Sequence, residues 1–295
     1  METKATTKFP LQKNLLALLK SLIHLHSVYV INMNVCKNKQ VTNLTPKSKQ
    51  AHKEAIYTLL IVADKALHKN LDDFMEEVYN KMEQRCKFYI IYVTLSNLIE
   101  RIDIGDNFLT RTLKETPCMY KQDNRLSRYS QYGLMYHVSI YIEIKTIWKH
   151  RMERAKYLFS AIDVIHEDEE PLSKLAVLHN AMEQICLGLL YVFWEFKPHY
   201  YALSYLLHLC STFTSLPNNI FPKTTFGLQR QYYMLCNASE IMRFKGTNGT
   251  NDFGLKDVDK VLKRCKQFLK EAHQLGETQL KHLKEVHCEA HAEFN

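Results

Sequence analysis

The stretch Leu172–Cys210, LSKLAVLHNAMEQICLGLLYVFWEFKPHYYALSYLLHLC, decides how the C-terminal half of this 295-residue chain is built. Leu175, Leu178, Met182, Ile185, Leu189, Val192 and Phe196 recur at alternating steps of three and four, which places them on one stripe of a helix. Pro198 pushes the residue before it out of the α region, so the helix is expected to stop there. A second stripe follows at Leu203, Leu206, Cys210 and Phe213, so two helices meet at Lys197 and Pro198. Beside the seam stand His179 with Glu183 and Asn180 with Gln184, each pair one turn apart and able to interact.

Outward from this hairpin the pattern stays helical. SLPNNIFPKT reads as a loop, and Leu228, Tyr232, Leu235, Ser239 and Met242 define a further helix that ends in the glycine-bearing run RFKGTNGTNDFG. The last helix carries Val258, Val261, Cys265, Phe268, Ala272 and Leu275; its phase then shifts near Gly276 to Leu280, Leu283 and Val286, where a bend or fraying is expected. On the other side, Leu134, Val138, Tyr141, Ile144, Trp148, Ala155, Leu158, Ile162 and Ile165 keep mainly helical steps, predicting one or two long helices. HEDEEP at His166–Pro171 reads as an acidic turn, with Pro171 in the first turn of the next helix, where its missing N–H costs nothing. Residues 125–295 are therefore expected to form an all-α antiparallel bundle, because short connections make neighbours antiparallel.

The first 121 residues read differently. Leu11, Leu15, Leu18, Leu22 and Leu25 make an amphipathic helix, and SVYVINM at Ser27–Met33 has the β-branched and aromatic content of a strand. Asn34–Glu54 is polar and basic and reads as an exposed loop. AIYTLLIVAD is an apolar run of strand length, as in a strand covered on both faces. LDDFMEEVYNKMEQRC is helical, and KFYIIYVTL returns to strand composition. The fold class expected is α+β, a small α/β domain at 1–121 followed by the helical bundle.

Composition narrows the setting. Only 8 glycines and 7 prolines with 46% hydrophobic residues indicate compact structure rather than disorder. The formal net charge of +8 favours an acidic partner modestly, although a lysine excess also makes an ordinary soluble surface. Eight cysteines without a CxxC pair read as reduced core thiols of a cytoplasmic protein. The longest apolar run, Ile185–Trp194, is far short of the roughly 20 residues that span a bilayer, and the N-terminal segment does not read as a signal peptide. No membrane association is expected.

A family resemblance rests on three runs in order: AxxHNAxEQ at Ala176–Gln184, FKPHYYALSYLL at Phe196–Leu207, and IFP at Ile220–Pro222. Together they resemble the bacterial HEPN domain, an all-helical module often found beside minimal nucleotidyltransferases. In such domains the first run reads close to AxxLHQAxE and the second close to GYxPxTHDLxxLL. Here Asn180 replaces the glutamine, Glu195 the glycine and Tyr201 the histidine. The N-terminal order of strand, strand, helix, strand, with Gly105, Phe108 and Tyr120 as a closing Gly-aromatic element and short strand, is similar to those nucleotidyltransferases. An unrelated small α/β domain accounts for the strand composition alone.

Nucleotidyl transfer needs a Gly-Ser turn after the first strand and two carboxylates on the next, because paired acids hold the Mg²⁺ that neutralises the transferred phosphate. Here the first strand runs into Asn32, Met33 and Asn34, and Ile56 and Thr58 occupy the places of the two acids. The resemblance therefore implies a degenerate domain with no catalytic residues and no cofactor. Active HEPN ribonucleases carry an Arg followed after four to six residues by His, and no arginine from Arg85 to Arg264 has a histidine at that spacing.

The binding candidates are Lys197, His199 and Tyr201 at the helix junction, whose cations and ring suit a phosphate and a base, and Arg243 with Lys245. In the last pair, Ala238, Arg243 and Phe244 match the family motif AYxxARY, while Ser239 and Met242 depart from it. Arg243 and Lys245 either hold a phosphate or cap helix carbonyls. His179 and Glu183 could serve as an acid/base pair, but at the edge of a core stripe a polar link between helices is the favoured reading. His282, His287, Cys288 and His291 do not share a helical face, so no metal site is expected. The function implied is non-catalytic nucleotide or RNA binding, in a toxin-antitoxin or defence setting, with homodimerisation through the bundle. The alternative is a ligand-free helical interaction scaffold.

Overall fold

A computed structural model describes residues 9–36, 54–165, 171–245 and 255–289. The fold is α+β and divides into two compact units, Met1–Met135 and Tyr136–Asn295. The sequence boundary near Lys121 moves because a 3-10 turn at Arg125–Gln131 belongs with the first unit. It buries Leu126 and Tyr129, and the Asn107 amide then clamps Met135 from both sides, donating to its carbonyl at 2.8 Å and accepting from its N–H at 2.7 Å.

In the first unit, α1 (Gln12–Leu22) leads into β1 (Leu25–Cys36), and β2 (Glu54–Ala63) follows. Next come α2 (Leu71–Lys81), β3 (Cys86–Thr94), α3 (Leu95–Asp103), α4 (Asn107–Glu115) and β4 (Cys118–Lys121). The sheet order is β3-β2-β1-β4, with β2 parallel to β3 and the other pairs antiparallel. A parallel pair needs a crossover, and α2 supplies it. Because β2 is central, all its residues from Tyr57 to Ala63 are buried, which explains why they lack an alternating pattern. β1 extends through Cys36, beyond the strand end expected at Met33. The remainder of the expected loop, 37–53, lies outside the described residues, as does 166–170 of the acidic turn.

The register of β1 against β2 shifts at His26 and at Ile31. A bulge re-aims its side chain, and His26 is fully buried with Nε2 3.0 Å from Asp123 Oδ1 and Nδ1 3.3 Å from Ser27 Oγ. Asp123 also accepts from the Arg125 backbone N–H at 2.9 Å and from Arg125 Nε at 2.7 Å. This His-Ser-Asp grouping has catalytic residue types, but Ser27 is fully buried, so it acts as a clasp between β1 and the chain after β4.

The second unit is helical: α5 (Val138–Ile162), α6 (Pro171–Trp194), α7 (Leu203–Cys210), α8 (Leu216–Ile220), α9 (Phe226–Cys236), α10 (Ala238–Lys245), α11 (Leu255–Lys284) and a π-helical turn at Glu285–Glu289. The seam of α6 from Leu175 to Val192 is buried against α5, α7 and α11. Among the described residues α6 alone is long and apolar enough to cross a membrane. Its most apolar window is 67% buried, the position of a core helix.

Several helix boundaries differ from the sequence reading: Leu25, read in the first helix, opens β1, and the run SLPNNIFPKT, read as a loop, contains α8. The helix expected from Leu228 to Met242 breaks at Asn237 into α9 and α10. α11 runs unbroken through Gly276, where a bend was expected; the phase shift there accommodates Trp148 of α5, as described below. α6 stops at Trp194, before Pro198 acts, because Glu195 turns left-handed at φ 57°. Its N–H still bonds Tyr191 O at 2.9 Å. Glu195 stands where the resembled motif has glycine, the residue that takes this conformation without steric cost.

Candidate anion-binding pocket

Both α5 and α6 present polar residues along the edge of their shared apolar seam. Ile144, Trp148, Met152 and Ala155 of α5 face inward and are buried, which leaves His150, Arg151 and Arg154 on the flank of that stripe. α6 and the extended segment after it close the other side. The result is a cavity of about 310 Å³ within the helical unit. Its floor is apolar, made by Ile147, Leu187, Phe196 and Pro198, and Tyr191 and Tyr201 stand beside it. Its basic lining consists of His150, Arg151, Arg154 and Lys197, with no acidic side chain.

The hydrogen bonding of the two arginines is incomplete for cations. Arg151 Nη1 donates to Gln184 Oε1 at 2.6 Å, and Arg154 Nη1 reaches the same oxygen at 3.4 Å. Among the described residues neither guanidinium forms a salt bridge. Burial, and next the like charge of Arg154, hold the Arg151 guanidinium below its ordinary value, with Glu183 and Tyr201 pulling the other way. An arginine does not deprotonate in response, so both guanidiniums keep their charge. Lys197 is partly satisfied already, since Glu143 accepts from its Nζ at 3.0 Å and from the Tyr191 hydroxyl at 2.8 Å. Those two bonds, the Tyr191 hydroxyl first, lower the Glu143 carboxyl.

Of the residues singled out in the sequence, Lys197 and Tyr201 line this pocket. His199, two residues from each, is exposed and does not line it. Arg243 lies exposed near the end of α10 and is not among the lining residues either; the side chain of Lys245 falls outside the described residues. His179 does link helices, but through a different partner from the one expected: its Nδ1 bonds Leu235 O of α9 at 2.8 Å. Glu183 is half-buried, and burial raises its carboxyl while His179 and then Arg151 pull it back. Arg151 and Arg154 were missed. The available signal was the run KHRMERAK at Lys149–Lys156, where cations recur within one turn of an otherwise apolar helix.

In the first unit, Thr58 is 1% exposed and pairs in register with Asn32; Ile56 pairs with Asn34. The four strands carry one acid, Glu54, at the start of β2. Asp64, just past the end of β2, lies 3.7 Å from Arg125. Among the described residues no three His, Cys, Asp or Glu side chains group as a metal would require.

No protein-family model matches the chain, and no curated protein matches it. Among solved structures, a nucleotidyltransferase-like protein from Exiguobacterium sibiricum 255-15 aligns over 91% of this chain and 77% of its own, with 9% identity and a TM-score of 0.28.

Proposed function

We propose that the helical unit binds a nucleotide, with a phosphate held by Arg151 and Arg154 and the apolar part of the ligand against the pocket floor. The observation that carries this reading is the convergence of two guanidiniums on one neutral oxygen, Gln184 Oε1, in a pocket without an acid. Arginine presents a rigid donor fork that suits phosphate oxygens. Inorganic phosphate alone would leave Ile147, Leu187 and Phe196 in contact with water, whereas a nucleotide covers them with its ring. A cavity of about 310 Å³ is at the small end of ligand sites, which run from roughly 300 to 1,000 Å³. The role is binding, and no residue is assigned a catalytic part.

The test is thermal unfolding with AMP, ADP, inorganic phosphate and RNA. A ligand at 100 times its dissociation constant stabilises by about 2.7 kcal/mol, which raises the midpoint measurably. AMP is expected to stabilise more than phosphate at equal concentration, and the effect to vanish in the Arg151→Gln/Arg154→Gln double variant. No shift with any of these ligands, or a shift that survives the double variant, would leave the helical unit as an interaction scaffold.

A further inference from the structure

Resting on the nucleotide reading above, we infer that the natural ligand is a single strand of nucleic acid, whose next base beyond the bound phosphate lies on Tyr157 along the outer face of α5. A second, shallow depression of about 520 Å³ adjoins the first and is lined by His150, Glu153, Arg154 and Tyr157. It shares His150 and Arg154 with the phosphate pocket, so a chain leaving the arginine pair runs directly into it. Arg151 and Tyr157 are six residues apart on one helix, about 9 Å along its axis at 1.5 Å per residue.

Tyr157 is 76% exposed. Among the described residues its ring stacks on no other aromatic ring, so its face is open to a base. Aromatic platforms beside cations are how single strands are held without regard to sequence, because every base has a stacking face. Glu153 gives the second depression an acid that the first lacks, and its nearest cation, Lys149, is 3.8 Å away. This charge repels a phosphate from the second depression and keeps it at the arginines. The carboxylate also accepts a hydrogen bond from an exocyclic amino group, as on adenine or cytosine. Uracil has no exocyclic amino group and offers the carboxylate only its ring N3–H, set between two carbonyl oxygens that the carboxylate repels.

The experiment uses the full chain and fluorescence anisotropy of a labelled five-residue oligoadenylate, with AMP as competitor and oligouridylate of the same length in parallel. Oligoadenylate is expected to bind more tightly than AMP and than oligouridylate. Tyr157→Ala is expected to weaken the oligonucleotide at least about fivefold while leaving AMP unchanged, and Tyr157→Phe to keep the wild-type affinity. If AMP and oligoadenylate bind equally, or Tyr157→Ala leaves oligoadenylate unaffected while Arg151→Gln/Arg154→Gln weakens both ligands, the strand inference falls and the nucleotide site stands. If neither AMP nor oligoadenylate binds, both readings fall. Equal affinity for the two oligonucleotides overturns the assignment of a base edge to Glu153.

Discussion

The indole of Trp148 occupies the space that a Cβ on Gly276 would need. Such an atom would overlap the six-membered ring and come within 2.8 Å of Cε2. On the α6 side a Cβ on Gly188 would lie 3.1 Å from Trp148 Cε3, so the ring is held between glycines of two helices. Trp148 Nε1 donates to Glu277 Oε1 at 2.9 Å, which satisfies its one polar atom. Packing of α5, α6 and α11 is thus organised by one large residue and two absent side chains.

Gly276→Ala tests this arrangement against helix propensity, which alone favours alanine by about 1 kcal/mol. Overpacking costs about 1–3 kcal/mol, and the overlap with an indole held on both faces makes it the larger effect. Urea denaturation should therefore show net destabilisation. In a Trp148→Leu background the same substitution should cost at least about 0.5 kcal/mol less. A neutral or stabilising Gly276→Ala in the wild-type background would contradict the packing described.

Glu195 provides a comparison of backbone terms. At φ 57° a residue with a Cβ costs roughly 1 kcal/mol relative to glycine. Glu195→Ala and Glu195→Gly both remove the side chain, so their difference isolates the backbone. The glycine variant should be the more stable by about 1 kcal/mol in chemical denaturation. Equal stabilities would show that the left-handed cap of α6 carries no strain.

Asp123 makes the first unit sensitive to acid. The Arg125 backbone N–H, followed by the Arg125 side chain and His26, holds its carboxyl at about 2, against a partial opposing effect of burial. A depressed carboxyl contributes stability that is complete above its unfolded value of 3.8 and is lost as pH falls through about 2, because in that window the unfolded chain binds more protons. Between pH 4.5 and 2 the urea midpoint of the wild type should fall more steeply than that of Asp123→Asn. Parallel pH profiles would remove Asp123 from the acid response.

Thiol reactivity should follow burial. Burial pushes the Cys186 and Cys265 thiols well above the ordinary value, and Cys86 and Cys210 are buried with them. Since the thiolate is the reactive form, iodoacetamide should modify exposed Cys118 and half-buried Cys236 and Cys288 before the buried thiols, with the raised Cys118 thiol slowing that site. Cys186 and Cys265 should react only at the rate of unfolding, as mass spectrometry of digested peptides will show. Early modification of Cys186 would place α6 away from the core.

Much of the architecture is legible in local pattern. The apolar steps of α6, the strand composition of β1 to β3 and the helix of α2 arise from periods of 3.6 and 2, which a single segment displays unaided. Gly105, read as part of a closing element, takes φ 93° between α3 and α4, a conformation that glycine alone reaches freely. Binding residues were harder to find. Lys197 and Tyr201 were visible beside a proline at a helix junction, but Arg151 and Arg154 looked like the ordinary charged flank of a long helix, since nothing local shows that both would face one neutral acceptor.

By itself, then, the sequence determined the α+β class, the helical seam of α6 and the absence of carboxylates at Ile56 and Thr58, because residue type and spacing are properties of the chain alone. Tertiary structure decided that α6 ends at Glu195, that α11 continues through Gly276, and that Arg151 and Arg154 meet Gln184 from a different helix. Each of these depends on contacts between residues distant along the chain. The glycine at 276 is a helix breaker by propensity, yet beside Trp148 it is the residue that lets two helices pack, and the energy that favours it comes from a side chain 128 positions away.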